Sequence, residues 1–351
     1  MSEAANAATE GSALFRSLAT GVWALSLQER VASINLPYPA TAQLALDRLV
    51  LHCAGRQEQY PSSVPELVSW CAERPASKWP FPVPSNLALP TARLVDRITK
   101  MRTRTCAELA VDDGVPILDT QADAVMNDLG TEPVGVGKRE FLIDHVVIDR
   151  SGHRQMLATK PLSAQRFKRL KYLYGPPPDA WVVEGRVYQC STCGLLALPT
   201  KDKQPRTAWC EAETCPRDGL LTASYDASDV HVLRTPLRLL VALPGKAERI
   251  ALARLRAAGL AVDPVGPVLG TYQLGNGGKP GRRMRVYDRM QPGPLAERAL
   301  ADKVSFVVVP EQLLAMQVGF REGFAAALPA GADIRLVSTS EVATAAQATE
   351  T

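Results

Sequence analysis

The stretch ALPGKAERIALARLRAAGLAVDPVGPVLGTYQL, residues 242–274, decides the fold that the sequence predicts for the C-terminal third of the chain. It predicts a helix over 246–258 that ends at Gly259, because glycine readily takes the conformation that closes a helix. A strand is predicted near 268–274. Helices and strands that alternate along a chain are typical of a mixed α/β domain, which we place at 230–342.

Two apolar runs flank this stretch and indicate how its sheet is covered. LRLLVAL, at 237–243, and FVVVP, which ends at Pro310, are apolar on both faces of a predicted strand, apart from Arg238. Strands that are apolar on both faces are typical of a sheet covered by helices on both sides. The strands predicted in this domain, besides 268–274, are 237–243, 284–287, 305–309 and 334–338. We expect residues 343–351 to be a disordered tail.

Upstream of this domain, four cysteines lie within 26 residues, in the pattern Cys-x2-Cys, sixteen residues, Cys-x4-Cys. A two-residue spacer lets both thiolates reach one metal ion from a tight turn, and Gly194 can take the positive φ that the turn needs. Four protein ligands leave no coordination position for a substrate, so the predicted role is structural. The predicted Zn²⁺ ligands are Cys190, Cys193, Cys210 and Cys215. Two disulfides or four unligated thiols are the alternatives to a zinc-ribbon-like module over 181–229.

The N-terminal part, residues 1–139, is mostly helical by its apolar spacing and its capping signals. From 140 to 158 the apolar period changes to two across a Ser-Gly pair, which predicts a β-hairpin. A basic helix follows at 165–174. We group the hairpin and this helix as a connector, 140–180.

The overall composition excludes several classes of protein. The chain has 351 residues, 46% hydrophobic and 22% charged, which rules out global disorder. No window approaches the roughly 18 uncharged apolar residues of a membrane-spanning helix, and no secretory signal is visible at the start. We therefore expect a cytoplasmic protein with no membrane partner. A net charge of +4 is too small to identify a binding partner by itself.

Four segments carry a resemblance to a known family. Residues 242–274, MRVYDRMQPGPLAERAL (284–300), VSFVVVP (304–310) and PPPDAWVVEGRVYQC (176–190) resemble the restriction-endonuclease-like proteins encoded beside prokaryotic PIWI-RE proteins. The resemblance covers about 176–342 well and the N-terminal half loosely. It implies an αβββαβ core and a role in an antiviral defence module that pairs a PIWI-like protein with a helicase.

The resemblance also implies which residues would hold the catalytic Mg²⁺. Glu248 matches the acid on the helix, but the aspartate of the second strand falls at Gln273. The acid and the lysine of the third strand fall at Tyr287 and Arg289. Gln, Tyr and Arg do not supply carboxylate ligands or a lysine, so we expect a catalytically degenerate nuclease fold. Asp288 is the one nearby acid, and strand alternation predicts that it faces away from Glu248.

Basic residues indicate nucleic acid, either DNA or an RNA–DNA hybrid, as the ligand of this domain. Alternation along the third strand predicts one face that could contact phosphates through cations and stack bases on an aromatic ring. The predicted contact residues are Arg282, Arg283, Arg285, Tyr287 and Arg289. A second basic element is the helix that carries Arg166, Lys168, Arg169 and Lys171, and either set could instead be an ordinary solvated surface.

Three hypotheses for function follow. The first is a nucleic-acid-binding subunit with a zinc module and a degenerate nuclease fold. The second is an active Mg²⁺-dependent DNA endonuclease that uses Glu248 and Asp288. The third is a scaffold whose helical N-terminal half binds a PIWI-like protein or a helicase.

Overall fold

The structure is a computed structural model, and it describes residues 3–27, 36–130, 133–199, 208–215, 221–265, 269–275 and 282–348. Its helices are α1 (Glu3–Ser26), α2 (Ala40–Ala54), α3 (Val64–Glu73), α4 (Arg104–Leu109), α5 (Ile117–Leu129), α6 (Pro133–Asp144), α7 (Arg150–Thr159), α8 (Pro161–Leu170), α9 (Thr235–Leu237), α10 (Leu243–Ala257), α11 (Pro292–Ala301), α12 (Glu311–Met316), α13 (Phe320–Ala327) and α14 (Val342–Gln347).

Fifteen strands are formed within the described residues. They are β1 (Val111–Asp112), β2 (Val115–Pro116), β3 (Val147–Asp149), β4 (Tyr174–Gly175), β5 (Val182–Val183), β6 (Arg186–Cys190), β7 (Leu196–Pro199), β8 (Ala208–Cys210), β9 (Leu221–Asp226), β10 (Val230–Leu233), β11 (Ala261–Pro264), β12 (Thr271–Gly275), β13 (Arg282–Val286), β14 (Phe306–Val309) and β15 (Arg335–Ser338).

The chain divides into two compact units. Unit 1 comprises Met1–Thr120, Arg289–Glu297 and Gly319–Pro329, and unit 2 comprises the rest of the chain. Unit 1 is largely helical, in keeping with the helical N-terminal region that the sequence predicts, and α1 packs against α2 through buried side chains such as Phe15, Leu18 and Leu49. Within this unit the short helix α4 is buried along its whole length.

The hairpin predicted over 140–158 is wrong. The structure places the end of α6, the three-residue strand β3 and then α7 in this stretch. The side chain of Asp149 accepts a hydrogen bond from the backbone N–H of Gly152, at 2.8 Å, so the Ser-Gly pair lies in the first turn of a capped helix. The strand β3 pairs instead with β10, more than seventy residues later in the chain.

The cysteine segment forms an antiparallel sheet in unit 2. Its strand order is β5-β6-β7-β8, and β9 also pairs with β6. Two of the four cysteines end strands of this sheet, Cys190 on β6 and Cys210 on β8. The loop between β7 and β8, from 200 to 207, lies outside the described residues.

The C-terminal sheet of unit 2 has the order β11-β12-β13-β14-β15. Its first three strands are antiparallel neighbours, whereas β14 is parallel to both β13 and β15. The helices α10 and α14 cover one face of the sheet, around Leu252, Met284, Phe306 and Val337. From α10 to β14 the order is one helix, three strands, one helix and one strand, as the resemblance implies, but β11 is not among the strands that the sequence pattern predicts.

Two expectations for this domain are wrong. Residues 237–243 are helical, because α9, a π-helical turn at Arg238–Ala242 and α10 follow one another without a break. An apolar run of this length fits a buried helix as well as a buried strand, so its composition does not distinguish them. The tail predicted from 343 contains most of α14, whose Val342 and Ala346 are buried, and only residues 349–351 lie outside the described part.

No helix among the described residues has the length and apolar character needed to cross a membrane.

Candidate functional site

The four predicted zinc ligands come together in unit 2. The sulfur atoms of Cys190, Cys193, Cys210 and Cys215 all lie within 4.8 Å of one another. Four sulfurs at about 2.3 Å from a central zinc ion would be separated by about 3.8 Å, so the cluster has the size of a tetrahedral site. Three of the thiols are buried and none of the four is in a disulfide, which removes the paired-disulfide alternative in this structure.

The backbone around each cysteine pair favours thiolate. The N–H of Leu195 donates to the Sγ of Cys193 at 3.5 Å, and the N–H of Ala212 donates to the Sγ of Cys210 at 3.2 Å. Gly194 has a φ of 73°, which completes the first turn as the sequence predicts. Hydrogen bonds among the thiols lower the pKa of Cys190, that of Cys193 contributing most, and the hydrogen bonds with Cys190 raise the pKa of Cys193 and of Cys210. The cluster could therefore hold a metal ion such as zinc, with no position left open for a substrate.

Two polar contacts connect the cysteine sheet to the helical segment that leads into the C-terminal sheet. The ammonium of Lys246, on α10, donates to the backbone carbonyl of Cys193. The buried guanidinium of Arg238 donates to both carboxylate oxygens of Glu211, at 2.8 and 2.6 Å. Because Glu211 directly follows a cysteine of the cluster, the metal site and this helix are held together within unit 2.

Glu248, the acid expected at the nuclease position of the helix, is engaged by an arginine. Its side chain is buried, with the residue only 2% exposed, and Arg139 donates to its two oxygens at 2.8 and 2.7 Å. The hydroxyl of Tyr272 donates to the same carboxylate at 2.7 Å. Burial lowers the pKa of Arg139, but the charge of Glu248 outweighs this effect and raises the pKa overall. Gly270 adjoins the pair, and a Cβ there would lie 2.8 Å from an Arg139 nitrogen.

The structure does not bring Gln273 to Glu248. Tyr272 contacts Glu248, and Leu274 and Met284 belong to the core under α10. Side chains alternate along a strand, so Gln273 and its cross-strand partner Arg283 point to the opposite face of the sheet. Glu248 and the predicted second-strand position therefore lie on different faces.

Tyr287 and Arg285 contact Asp302 on the other side of the sheet from Glu248. Tyr287 is 4% exposed and donates to the carboxylate of Asp302 at 2.7 Å. Arg285 and Arg298 bond to the same carboxylate. Burial alone would raise the pKa of Asp302, but the charges of Arg285 and Arg298 lower it below the ordinary value of 3.8. The phenol ring is not available to stack on a base in this arrangement.

Arg289, the expected lysine position, belongs to unit 1. It is 3% exposed and its guanidinium donates to Asp119. The next residue, Met290, donates its backbone N–H to both oxygens of Glu108 at 3.0 and 2.9 Å. Arg289 thus has an internal partner and does not face solvent. Asp288 is buried as well, and β13 ends before it, so strand alternation does not determine which way its side chain points.

The remaining predicted contact residues are more accessible. The side chain of Arg282 is 36% exposed, and its guanidinium is 3.8 Å from the carboxylate of Asp333. Arg283 is half-buried. On α8, Lys168 and Arg169 are exposed, as is Lys171 just beyond the helix, whereas Arg166 packs close to Gly137.

The sequence did not identify the partners of the aligned positions, which are Arg139, Asp302 and Asp119. Arg139 is 109 residues from Glu248, and nothing in its local sequence distinguishes it from other surface-compatible arginines. Asp302 and Asp119 are isolated acids in helical contexts. Gly270 is the one local signal, since a glycine beside a buried strand marks a close approach of other atoms.

Comparison with known families gives one match, to the N-terminal part of the chain. Residues 14–149 match the family model described as pPIWI_RE three-gene island domain Y. This match associates the chain with pPIWI-RE modules. Neither the comparison with curated proteins nor the comparison with solved structures gave a match. We refer to residues 14–149 as domain Y.

Three side chains of domain Y bond to residues at or beside the positions that the resemblance aligns with a nuclease site. Arg139 bonds to Glu248, Asp119 bonds to Arg289, and Glu108 accepts from the backbone of Met290. The matched segment therefore supplies the partners of Glu248 and Arg289, whereas Tyr287 bonds to Asp302 outside it.

We expect purified protein to contain about one zinc ion per chain, because four thiolates form a closed site of this kind. Cys193→Ser or Cys210→Ser should lose the metal and lower the melting temperature, since metal binding and local folding are linked. Elemental analysis and thermal unfolding measure both effects. Cys53→Ser, at a buried thiol outside the cluster, is the control and should retain full metal content. Wild-type protein free of metal after purification without chelator would contradict the prediction.

We also expect Asp302→Asn to lower the free energy of unfolding by about 3 kcal/mol at neutral pH, because Arg285 and Arg298, both mostly buried, would lose this buried carboxylate. The pKa of Asp302 is lowered in the folded state, so its stabilisation is complete above 3.8 and is lost as the pH falls through the folded-state pKa. The difference between wild type and variant should therefore shrink in acid, as urea unfolding at several pH values measures. Asp333→Asn, at an exposed carboxylate, should change stability little at any pH. A difference that stays constant into acid would refute the assignment.

Proposed function

We propose that the chain is a nucleic-acid-binding, non-cleaving subunit of a pPIWI-RE defence module, built on a restriction-endonuclease-like domain at 230–342. The order α10, β11, β12, β13, α11 and β14, with a mixed five-stranded sheet, supports the nuclease-like domain. The association of domain Y with pPIWI-RE modules supports the defence role. The observation that carries the loss of cleavage is the buried pair of Arg139 and Glu248.

That pair disfavours a catalytic metal ion for two reasons. Both oxygens of Glu248 already accept hydrogen bonds from a guanidinium, which cannot lose its proton, so a cation would have to displace a fixed positive charge. Mg²⁺ also requires several oxygen ligands with near-octahedral geometry. The other aligned positions supply Gln273, Tyr287 and Arg289, and none of them is a carboxylate.

The zinc ion, in this proposal, has a structural role. A closed set of four thiolates offers no site for substrate, and the cluster is joined to the α10 segment through Arg238 and Lys246. The metal would stabilise the cysteine sheet, which contacts the nuclease-like domain through Arg238 and Lys246.

Nucleic acid, either DNA or an RNA–DNA hybrid, would contact this domain through phosphates. Arg282 and Arg283 are the first two residues of β13, and both retain some exposure. Arg285 and Arg289 are held by internal carboxylates, so they contribute positive charge mainly to the protein itself. The PIWI-like protein and the helicase of the module are the proposed protein partners.

A scaffold for the module is the second candidate function. The burial of Tyr287 and Arg289 favours it, because two of the five residues that were expected to contact nucleic acid do not face solvent. A scaffold would bind its protein partner without any salt-dependent affinity for nucleic acid.

We expect no cleavage of plasmid, linear duplex or single-stranded DNA by the purified chain with Mg²⁺ or Mn²⁺, because Glu248 is neutralised by Arg139. Agarose and denaturing gels measure this directly. Cleavage that is abolished by both Glu248→Gln and Asp288→Asn would establish the active endonuclease instead. Cleavage that both variants retain would indicate a contaminating nuclease, which a second purification step should then remove.

We expect Arg282→Ala combined with Arg283→Ala to weaken binding to all duplex sequences alike. Each phosphate contact contributes a slope of about 0.9 in log affinity against log salt, so the double variant should flatten the slope by about 1.8. Fluorescence anisotropy at several salt concentrations measures affinity and slope together. The control is Arg254→Ala with Arg256→Ala, which removes the same charge from exposed positions of α10. Equal effects of the two double variants would exclude Arg282 and Arg283 as the contact, and no binding by wild type would favour the scaffold.

A further inference from the structure

A cavity of about 600 Å³ lies in unit 2, away from both the cysteine cluster and Glu248. It is formed by α7, α8 and the paired strands β3 and β10. Apolar walls come from side chains such as Ile148, Leu157 and Val230. A cavity of this volume accommodates a ligand of the size of one nucleotide.

One side of the cavity is cationic. Lys168 and Lys171 are three residues apart, so they project from neighbouring positions of one helical turn into the lining. Neither lysine makes a side-chain hydrogen bond or an ion pair with another residue in the part of the chain that the structure describes. Two exposed ammonium groups in the lining of one cavity, with no carboxylate partner among the described residues, form a site that favours an anion.

The two carboxylates in the lining already have hydrogen-bond or ion-pair partners. The carboxylate of Asp149 accepts bonds from the hydroxyl of Ser151 and the N–H of Gly152, which cap α7. The carboxylate of Asp229 is 2.8 Å from the guanidinium of Arg150. Neither carboxylate is therefore directed at the two lysines, and the cavity keeps its positive character.

Two imidazoles and a phenyl ring adjoin the lysines. The ring of Phe167 lies 5.0 Å from that of His153 and 6.1 Å from that of His231, measured between centroids. Burial lowers the pKa of His231, and the positive charges of Lys171 and His153 lower it further. Imidazole N–H groups donate to phosphate oxygens, and flat apolar surfaces accept a nucleobase.

We propose that this cavity binds a nucleoside 5′-phosphate, with the phosphate against Lys168 and Lys171 and the nucleoside against the apolar walls. The ligand is amphiphilic because one part of the lining is cationic and the other part is apolar. A free nucleotide and the 5′-phosphorylated end of a strand present the same chemistry. The cavity is separate from Arg282 and Arg283, so this proposal does not depend on the proposed nucleic-acid contact of the C-terminal sheet.

Isothermal titration calorimetry of the full chain tests the proposal with three probes: adenosine 5′-monophosphate, adenosine and inorganic phosphate. We expect saturable binding of one adenosine 5′-monophosphate per chain, and binding of adenosine and of phosphate that is at least tenfold weaker. Lys168→Ala combined with Lys171→Ala should weaken binding of the monophosphate at least tenfold, with the melting temperature unchanged. Arg154→Ala combined with Arg169→Ala is the matched control. It removes one exposed cation from α7 and one from α8, and neither residue lines the cavity.

Equal weakening by the two double variants would overturn the proposal, because the effect would then be one of net charge. Binding of adenosine as tight as that of its monophosphate would also overturn it, because the lysines would have no role.

A free nucleotide and a strand end are distinguished as ligands with oligonucleotides that differ only in a 5′-phosphate or a 5′-hydroxyl. A preference for the phosphorylated strand that Lys168→Ala with Lys171→Ala abolishes, while Arg282→Ala with Arg283→Ala does not, assigns the site to strand ends. Binding of the mononucleotide without that preference assigns it to free nucleotides, and binding of neither refutes the proposal.

Discussion

The buried ion pair of Arg139 and Glu248 is the interaction on which the arrangement of unit 2 depends. It joins α6, at the end of domain Y, to α10, which covers one face of the C-terminal sheet. Removing one partner would leave a charge buried without compensation, a change that costs about 3–5 kcal/mol in comparable pairs. Around it, Arg249 bonds to Glu140 and Asp144, so α6 and α10 are joined at the surface as well. The position of α10 is therefore fixed by charge as well as by apolar packing.

Buried charges throughout the chain follow the same rule. Arg238 is paired with Glu211, and Asp302 with Arg285 and Arg298. The pairs of Arg238 with Glu211 and of Arg285 with Asp302 join different parts of the chain, whereas Arg298 and Asp302 are four residues apart at the end of α11. Such pairs contribute little net stability, because desolvation offsets most of the attraction, but a wrong arrangement leaves charges unpaired. We infer that these contacts select one arrangement of the sheets within unit 2, while apolar burial supplies most of the free energy.

Features decided within a few residues could be predicted from the sequence, and features decided across the chain could not. The cysteine cluster, α10 and the strands near Met284 and Phe306 follow from spacing and local composition. The run 237–243 was ambiguous, because its apolar pattern fits a helix and a strand equally, and its tertiary contacts decided the outcome. The role of Arg139 had no local signal at all. The sequence identified Glu248 as a lone acid, but only the structure shows that its charge is already balanced.

The positions that the resemblance aligns with a nuclease site each bond to a different part of the fold, so single substitutions would not assemble a metal-binding centre there. An acid introduced by Gln273→Asp would face Arg283 across the sheet, on the side opposite to Glu248. A lysine at 289 would have to keep the buried contact with Asp119 through one ammonium instead of a planar guanidinium. A metal ion at Glu248 would still have to displace Arg139, which has no other described carboxylate as close to it. Each position is thus tied to a different part of the fold, and no single substitution brings two carboxylates to one cation.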